Sequence, residues 1–418
     1  MKRNVIHTGD AFDVLPDLDG ESVHAVVTDP PYGLAFMSRD WDDFEPKEYQ
    51  EWCEKWAREC LRVLKPGGHM LAFSGNRTHH RLFTGVEDAG FEIRDTLTWH
   101  YGSGFPKASD ISKTIDKRAD AEREKTGVKY ISGDHRDGVV KSGSGSGVFD
   151  KDESEVYKTK PATDAAKKWD GWKTGLKPST EFVVMARKPY DGATVDSVLE
   201  HGTGALNIEA CRIESGERPN RVIRGDKHGD TPAYDMGGAN ADGTTTEGRY
   251  PSNLIFDDVA AEQLDREIGD TGEGTYTAKT GESNVYGDKK VDSDPGVNIG
   301  TGDNGGPSRY FYTSKATKAE RTLDGKIDNA HPTVKPGDLM QWLVKLVTAE
   351  GQIVLDPFCG SGTTLRAAKD LNRQFIGIER QSKWADVARV RVGLTPDDPS
   401  VVRGDSDQSG LEAFEVGQ

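Results

Sequence analysis

Short apolar runs rich in β-branched residues alternate along this chain with stretches of helical periodicity, the pattern of an α/β fold. Val5-Ile6-His7 predicts a strand, and Gly9-Asp10-Ala11-Phe12-Asp13-Val14-Leu15 follows as turn and helix start. Val23-His24-Ala25-Val26-Val27-Thr28 predicts a second, buried strand. From Glu48 to Val63, Trp52, Trp56, Cys60 and Leu61 stay in register on an amphipathic helix. Lys65-Pro66-Gly67-Gly68 ends that helix, and His69-Met70-Leu71-Ala72-Phe73 is the next strand. Gly90 to Trp99 supplies another, and Glu181 to Lys188 returns as the last strand of this set. Near the other end, Gly351-Gln352-Ile353-Val354-Leu355 reads as a buried strand and Leu365 to Leu371 as a helix. Arg373 to Glu379 then predicts a strand ending in an acid. Two stretches, roughly 101–175 and 191–328, interrupt the pattern with Gly, Ser, Thr, Asp and Lys. Within them, Ser142 to Gly147 has linker composition, and Asp226 to Asp303 reads as loop-rich.

Asp29-Pro30-Pro31-Tyr32 stands where the second predicted strand ends. Two prolines remove two N–H donors and hold the chain extended. What remains is a carboxylate, bare carbonyl oxygens and an aromatic ring. That set suits an exocyclic amine of adenine or cytosine, a poor nucleophile because its lone pair is delocalised into the ring. Asp29 and the Pro30 carbonyl could each accept one of its N–H bonds and localise the lone pair, while Tyr32 stacks on an extruded base. The competing reading is a plain strand-to-loop turn, since Asp, Pro and Gly33 are turn residues.

The second signal is Asp356-Pro357-Phe358-Cys359-Gly360-Ser361-Gly362-Thr363-Thr364, between a predicted strand and a predicted helix. Glycine lets a ligand approach the backbone, so a strand, a Gly-x-Gly turn and a helix make a cofactor cradle. Thr363-Thr364 at the helix start, in place of Lys-Ser/Thr after a longer glycine loop, argues against a triphosphate P-loop. Glu379 ends the following strand, where nucleoside-binding α/β folds hold ribose hydroxyls. A generic dinucleotide-binding unit is the alternative, against which the missing third glycine argues.

Together these residues resemble the β group of amino-directed DNA methyltransferases, which use S-adenosylmethionine, and in particular its phage-type members. Asp356-x-Phe358-x-Gly360-x-Gly362 is similar to their cofactor motif and Asp29-Pro30-Pro31-Tyr32 to their catalytic motif. His331-Pro332-Thr333-Val334-Lys335-Pro336 resembles the segment they place before the cofactor strand. Lys177-Pro178, Glu181 and Ala186-Arg187-Lys188 extend the likeness, and Arg249-Tyr250-Pro251-Ser252-Asn253 resembles a flank of the recognition region. The resemblance implies a Rossmann-like methyltransferase fold with a mostly parallel, circularly permuted sheet and a loop-rich target-recognition insertion. The permutation makes the first two strands C-terminal and lets the third and fourth open the chain. It implies catalytic roles for Asp29, Pro30, Pro31 and Tyr32, and cofactor contacts from Asp10, His331, Lys335, Asp356, Phe358, Gly360, Gly362, Thr363 and Glu379. For Asp10, helix capping is an equal alternative. The implied division is a catalytic half at 1–100, an inserted segment at 101–175, a return strand at 176–190, a recognition region at 191–328, a cofactor half at 329–395 and an acidic tail at 396–418. The expected reaction is transfer of a methyl group to N6 of adenine in double-stranded DNA, because family usage associates Asp at the first motif position with adenine. N4 of cytosine is the alternative, and RNA or a protein amide is disfavoured by the permuted order and the long insert.

Charge complicates this expectation. Seventy Asp and Glu against 54 Lys and Arg give −16, whereas DNA-binding proteins usually present a basic patch. Either positive charge is local, around Lys113, Lys117, Arg118, Lys167, Lys168 and the stretch from Lys315 to Arg321, or the protein works in concentrated salt. In about 1 M salt the Debye length is about 3 Å and long-range repulsion is screened. The acid excess and the apolar fraction of 34% favour the second. Arg309 to Lys315 mixes aromatic and basic groups that would suit a base pocket or a half-buried strand. Four cysteines without a C-x-x-C pair support neither a disulfide frame nor a metal site. No apolar run reaches transmembrane length, so no membrane partner and a cytoplasmic location are expected. A homodimer and a cognate restriction nuclease stay open as partners.

Overall fold

The computed structural model describes residues 2–34, 44–102, 104, 108–130, 156–215, 218–222, 240–270, 305–314, 322–323, 325–327, 329 and 334–402. His331, Lys315 and the Ser142 to Gly147 stretch, singled out above, lie outside these described residues, as does most of the acidic tail. From the N-terminus the elements are β1 (Val5–Thr8), α1 (Ala11–Val14), β2 (Val23–Thr28), α2 (Pro46–Val63), β3 (Leu64–Ser74), α3 (His79–Asp88) and β4 (Glu92–His100). There follow α4 (Ile111–Arg118), β5 (Lys125–Tyr130), β6 (Val156–Thr159), α5 (Asp164–Lys168), β7 (Thr180–Arg187), α6 (Thr194–His201), β8 (Arg218–Val222) and β9 (Asn240–Thr245). The last are β10 (Leu254–Asp257), α7 (Asp258–Ile268), β11 (Tyr312–Ser314), α8 (Gly337–Val347), β12 (Ile353–Asp356), α9 (Thr363–Asp370), β13 (Gln374–Glu379) and α10 (Ser382–Arg391).

Contacts divide the chain into two units. One comprises Met1–Gly102, Thr180–Asp328 and Val334–Gln418; the other Ser103–Ser179 and Asn329–Thr333. In the larger unit a sheet runs in the order β1-β13-β12-β2-β3-β7-β4-β10-β11. Every neighbouring pair is parallel except β3–β7 and β7–β4, so β7 alone runs against the rest. Strands from both chain ends interleave: β1 lies beside β13 and β2 beside β12. The permuted order expected from the resemblance is therefore the order observed.

Burial of both sheet faces explains the near-continuous apolar strands. Ala25 and Val27 of β2 turn to one core with Leu71, Phe73 and Val354; Val26 turns to the other with Met70, Ala72 and Leu355. The first core is closed by α8 through Leu339, Leu343 and Val347, and by α9 through Leu365 and Ala368. The second is closed by α2 through Tyr49, Trp56 and Cys60, and by α3 through Leu82 and Val86. All four cysteines are free and buried, and among the described residues no cluster of metal-ligating side chains occurs. Among the described residues no helix is long and apolar enough to cross a membrane.

Three details differ from the sequence expectation. Lys65-Pro66-Gly67-Gly68 does not separate helix from strand; β3 starts at Leu64 and absorbs these residues as an irregularity opposite β2, with Gly67 at φ +74°. His79-His80 reads in the sequence as solvent-exposed helix, yet His79 is half-buried and stacks on Phe182 at 4.2 Å. The segment 191–328, read as an interruption of the strand and helix pattern, adds two strands to the sheet, β10 parallel to β4 and β11 parallel to β10. In the smaller unit, β5 pairs with β6 and buried Asp116 accepts from Arg123, from the Ala162 and Thr163 amides and from the Thr163 hydroxyl.

Candidate active site

β12 and β2 are adjacent, yet the chain leaves β12 through α9 toward β13 on one side and leaves β2 through α2 toward β3 on the other. Such a switch point opens a crevice beyond the carboxyl ends of the strands. The tetrapeptide Asp29-Pro30-Pro31-Tyr32 follows β2 and the glycine loop follows β12, so both sequence signals open onto that crevice. The Thr28 hydroxyl ties them together, donating to Asp356 across 2.7 Å.

The tetrapeptide is fixed from two sides. The Tyr49 hydroxyl of α2 donates to the Pro31 carbonyl at 2.9 Å, and the Thr78 hydroxyl donates to the Tyr32 carbonyl at 2.6 Å. Gly33 turns the chain away at φ +64°, where a Cβ would stand 2.7 Å from the Tyr49 ring. Among the described residues no donor engages the Pro30 carbonyl, which leaves this oxygen for an external N–H.

Side chains converge on Tyr32. Its hydroxyl lies 2.8 Å from Asp29 Oδ1 and 2.9 Å from Glu181 Oε2. Lys335 Nζ stands 2.5 Å from Asp29 Oδ2, 3.1 Å from the Tyr32 hydroxyl and 3.3 Å from Glu181 Oε2. It is 8% exposed and lies 4.9 Å from the centre of the Phe73 ring. Burial works against its charge, but Asp29 and Glu181 together hold its ammonium above the usual lysine range. Burial also raises the Tyr32 phenol, with the two carboxylates adding to the effect. The resemblance implied a cofactor contact for Lys335; the structure places it on Asp29. Glu181 carried only a family likeness in the sequence, since one acid in a strand 149 residues from Tyr32 gives no local sign of its partners.

The second half of the site is the loop between β12 and α9. Asp356 is 2% exposed and accepts from Thr28 and from the Phe358 amide. Burial pushes its carboxyl up to about 6, against hydrogen bonds from Thr364, Thr28 and Phe358. Gly360 and Gly362 adopt φ +50° and +81°, and the Gly360 amide donates to Glu379 at 3.0 Å. Glu379 also accepts from the Gln381 amide, and burial raises its carboxyl. Thr363 engages fully buried Arg391, whose guanidinium also donates to the Ser361 carbonyl. Arg391 thus braces the loop from α10, a role with no sequence signal. Phe358 packs against Trp52 and Trp56 at 5.4 Å each, and Trp52 against Phe12. Asp10 caps α1 by accepting from the Phe12 amide and is half-buried.

An adenosyl group needs an acceptor for its ribose diol, a flat apolar wall and close backbone approach. Glu379 with lone pairs beyond its two amide bonds, the Phe12–Trp52–Phe358 aromatic group and the positive-φ glycines supply these. The residues present fit S-adenosylmethionine.

The family model for N6/N4 DNA methylases matches residues 23–389. Type II methyltransferase M.HindIII of Haemophilus influenzae is 24% identical over 427 residues, spanning 93% of this chain and 95% of that protein. Among solved structures, the cytosine-N4-specific PvuII DNA methyltransferase is 15% identical with a TM-score of 0.45, covering 94% of this chain and 86% of its own. The M1.HpyAVI–SAM complex is 16% identical with a TM-score of 0.36, covering 93% and 98%. The match over most of its length, with both motifs at one crevice, makes this chain a member of the N6/N4 DNA methylase family, a DNA methyltransferase whose methyl donor is S-adenosylmethionine.

Proposed function

We propose that the chain methylates N6 of adenine in duplex DNA, with Asp29, Pro30 and Tyr32 as the groups that receive the base. The observation that carries this is the joining of Asp29 and the glycine loop at adjacent strand ends through Thr28 and Asp356. Asp29 and the Pro30 carbonyl each accept one N–H of the extruded amine, and the Tyr32 ring covers the base face. Asp10, Phe358, Gly360, Gly362 and Glu379 would hold the adenosyl portion of S-adenosylmethionine, while Asp356 and Thr363 shape the loop. When bound, that cofactor supplies a methyl carbon already activated by a sulphonium charge. The protein's share of the rate is then alignment of the amine with that carbon, worth up to several powers of ten in well-oriented reactions. Asp29 at the first motif position supports adenine over cytosine, as family usage does.

In the smaller unit, residues 103–179 carry 16 Lys and Arg against 13 Asp and Glu, a positive balance inside a chain of −16. Its exposed Trp169 and Trp172 meet edge to face at 5.0 Å, beside Lys167, Lys168 and Lys173. We assign these basic and aromatic side chains to DNA contact. Enzymatic digestion of DNA methylated by the full chain, with identification of the modified nucleoside, tests the base assignment. N6-methyl-2′-deoxyadenosine supports it and N4-methyl-2′-deoxycytidine overturns it.

A further inference from the structure

The Tyr32 hydroxyl faces two carboxylates, Asp29 at 2.8 Å and Glu181 at 2.9 Å. A phenol has one proton to donate. Both contacts are hydrogen bonds only when one carboxyl brings a proton of its own. Lys335 closes the group, with one ammonium approaching Asp29, Tyr32 and Glu181 at once. One buried cation therefore balances one carboxylate, and the second has a place for a proton. Methylation creates such a proton, because the attacking amine becomes cationic and must lose one hydrogen.

We propose that Glu181 is the terminal acceptor of the proton released by the target amine, passed from Asp29 through the Tyr32 hydroxyl. The proposal deepens the function stated above and rests on it. One N–H bond of the cationic methylamine breaks, its electron pair stays on nitrogen, and an O–H bond forms on Asp29. Asp29 gives this proton to the Tyr32 oxygen as Tyr32 gives its own to Glu181. Asp29 is again a carboxylate, Tyr32 a phenol and Glu181 a neutral acid. The Glu181 side chain is 18% exposed, so its proton can return to water.

Charged and titratable neighbours reach Glu181 from several elements. Asp29 and Tyr32 come from the end of β2, Lys335 from the segment before α8, and Tyr101 from the end of β4 with Asp257 near it. His100, beside Tyr101, is occupied by the Thr180 hydroxyl at 3.0 Å. Burial, and then repulsion from Asp29, raise the proton affinity of Glu181, while Lys335 lowers it; the balance is upward. A purely structural Glu181, serving only to pair Lys335, would leave the pH dependence of the chemical step unchanged when replaced.

Single-turnover methylation of duplex DNA by the full chain, at saturating S-adenosylmethionine from pH 5 to 9, separates these roles. Saturation keeps the titration of Asp356 out of the profile. In the wild type the rate should fall on the acid side, where Glu181 is already protonated. Glu181→Gln should remove that limb and lower the plateau about 100-fold, the lower end of what a positioned proton acceptor contributes. Its cofactor and DNA affinities should stay within about twofold, which marks a loss confined to the chemical step. Tyr32→Phe keeps the ring and both carboxylates but cuts the link, and should reproduce the same loss; Glu181→Asp should recover part of the rate together with the limb. An acid limb and plateau unchanged in Glu181→Gln overturn the proposal, as does an unchanged limb in Tyr32→Phe should the Gln variant not fold. Absence of any methyl transfer by the wild type would instead overturn the function itself.

Discussion

Asp29 pairs with Lys335 and, in the proposed reaction, accepts from the amine, so its removal should separate turnover from binding. Asp29→Ala leaves Lys335 with Glu181 at 3.3 Å, so the site keeps a compensated charge. Methyl transfer should fall at least about 100-fold through lost alignment, while calorimetry should find S-adenosylmethionine affinity largely intact. Equal loss of both would mean misfolding. Asp356 behaves differently, because it holds the cofactor loop rather than the base. Its carboxyl sits near 6 through burial, above the usual aspartate value. An acid raised on folding disfavours the folded state at neutral pH and relieves that cost as pH falls through about 6 toward 3.8. Function runs the other way. The proton that relieves the fold also takes an acceptor from Thr28, Thr364 and the Phe358 amide, so cofactor affinity should weaken below about pH 6. Asp356→Asn mimics the protonated form and should bind S-adenosylmethionine roughly tenfold or more weakly at pH 8, the cost of mismatched buried hydrogen bonds. A flat affinity from pH 8 to 5 would refute this role. At this scale the tetrapeptide and the glycine loop were legible in the sequence because their chemistry is contiguous. Glu181, Thr28 and Arg391 were not, since each acts on a partner far along the chain and none has an unusual neighbourhood in sequence.

Strand runs were the most legible elements, and the reason is their burial on both faces. Val23 to Thr28 and Ile353 to Asp356 have no polar alternation to confuse with a helix, and both lie at the centre of the sheet. The opposite applies to β10 and β11, which have four and three residues. Each is too short to establish a period; the place of β10 beside β4 depends on pairing across more than 150 residues, and β11 in turn pairs with β10. Lys65 to Gly68 misled for a related reason: Pro and Gly mark a break in local propensity, but a strand can carry them as a bulge. The turn from β12 into α9 permits a sharper test. Gly362 has φ +81°, and a Cβ there would stand 2.8 Å from Cβ of Ala388 on α10. Gly362→Ala therefore meets backbone strain of about 1–3 kcal/mol in addition to the clash. The melting temperature and S-adenosylmethionine affinity should both drop, the latter about tenfold for each 1.4 kcal/mol by which the bound loop is disfavoured. Adding Ala388→Gly removes the 2.8 Å contact but leaves the Ala388 Cα at 3.0 Å and the strained φ, so the double variant should recover part of the loss. Full recovery would show that the left-handed conformation itself is unimportant.

At the scale of the whole molecule, charge sets two opposing responses to salt. The chain carries −16 overall, so in dilute buffer, where the Debye length is about 10 Å at 0.1 M and longer below it, DNA is repelled from a distance. On the assignment proposed above, the basic balance within residues 103–179 would act at close range, through phosphate contacts that release counterions and weaken as salt rises. Raising KCl should first relieve the repulsion and then erode the contacts, giving an activity maximum instead of a steady decline. If the acid excess reflects operation in concentrated salt, that maximum lies near molar KCl, where the Debye length is about 3 Å. Replacing Lys167 and Lys168 together by Gln should weaken DNA binding uniformly across sequences and reduce the slope of log affinity against log salt by roughly 1–2 on the falling side. Turnover at saturating DNA should not change, because neither lysine belongs to the catalytic group around Tyr32. Activity that peaks in dilute buffer and vanishes in molar KCl would reject the high-salt reading and leave local charge as the explanation. A slope unaffected by the lysine replacements would reject the assignment of DNA contact to that segment.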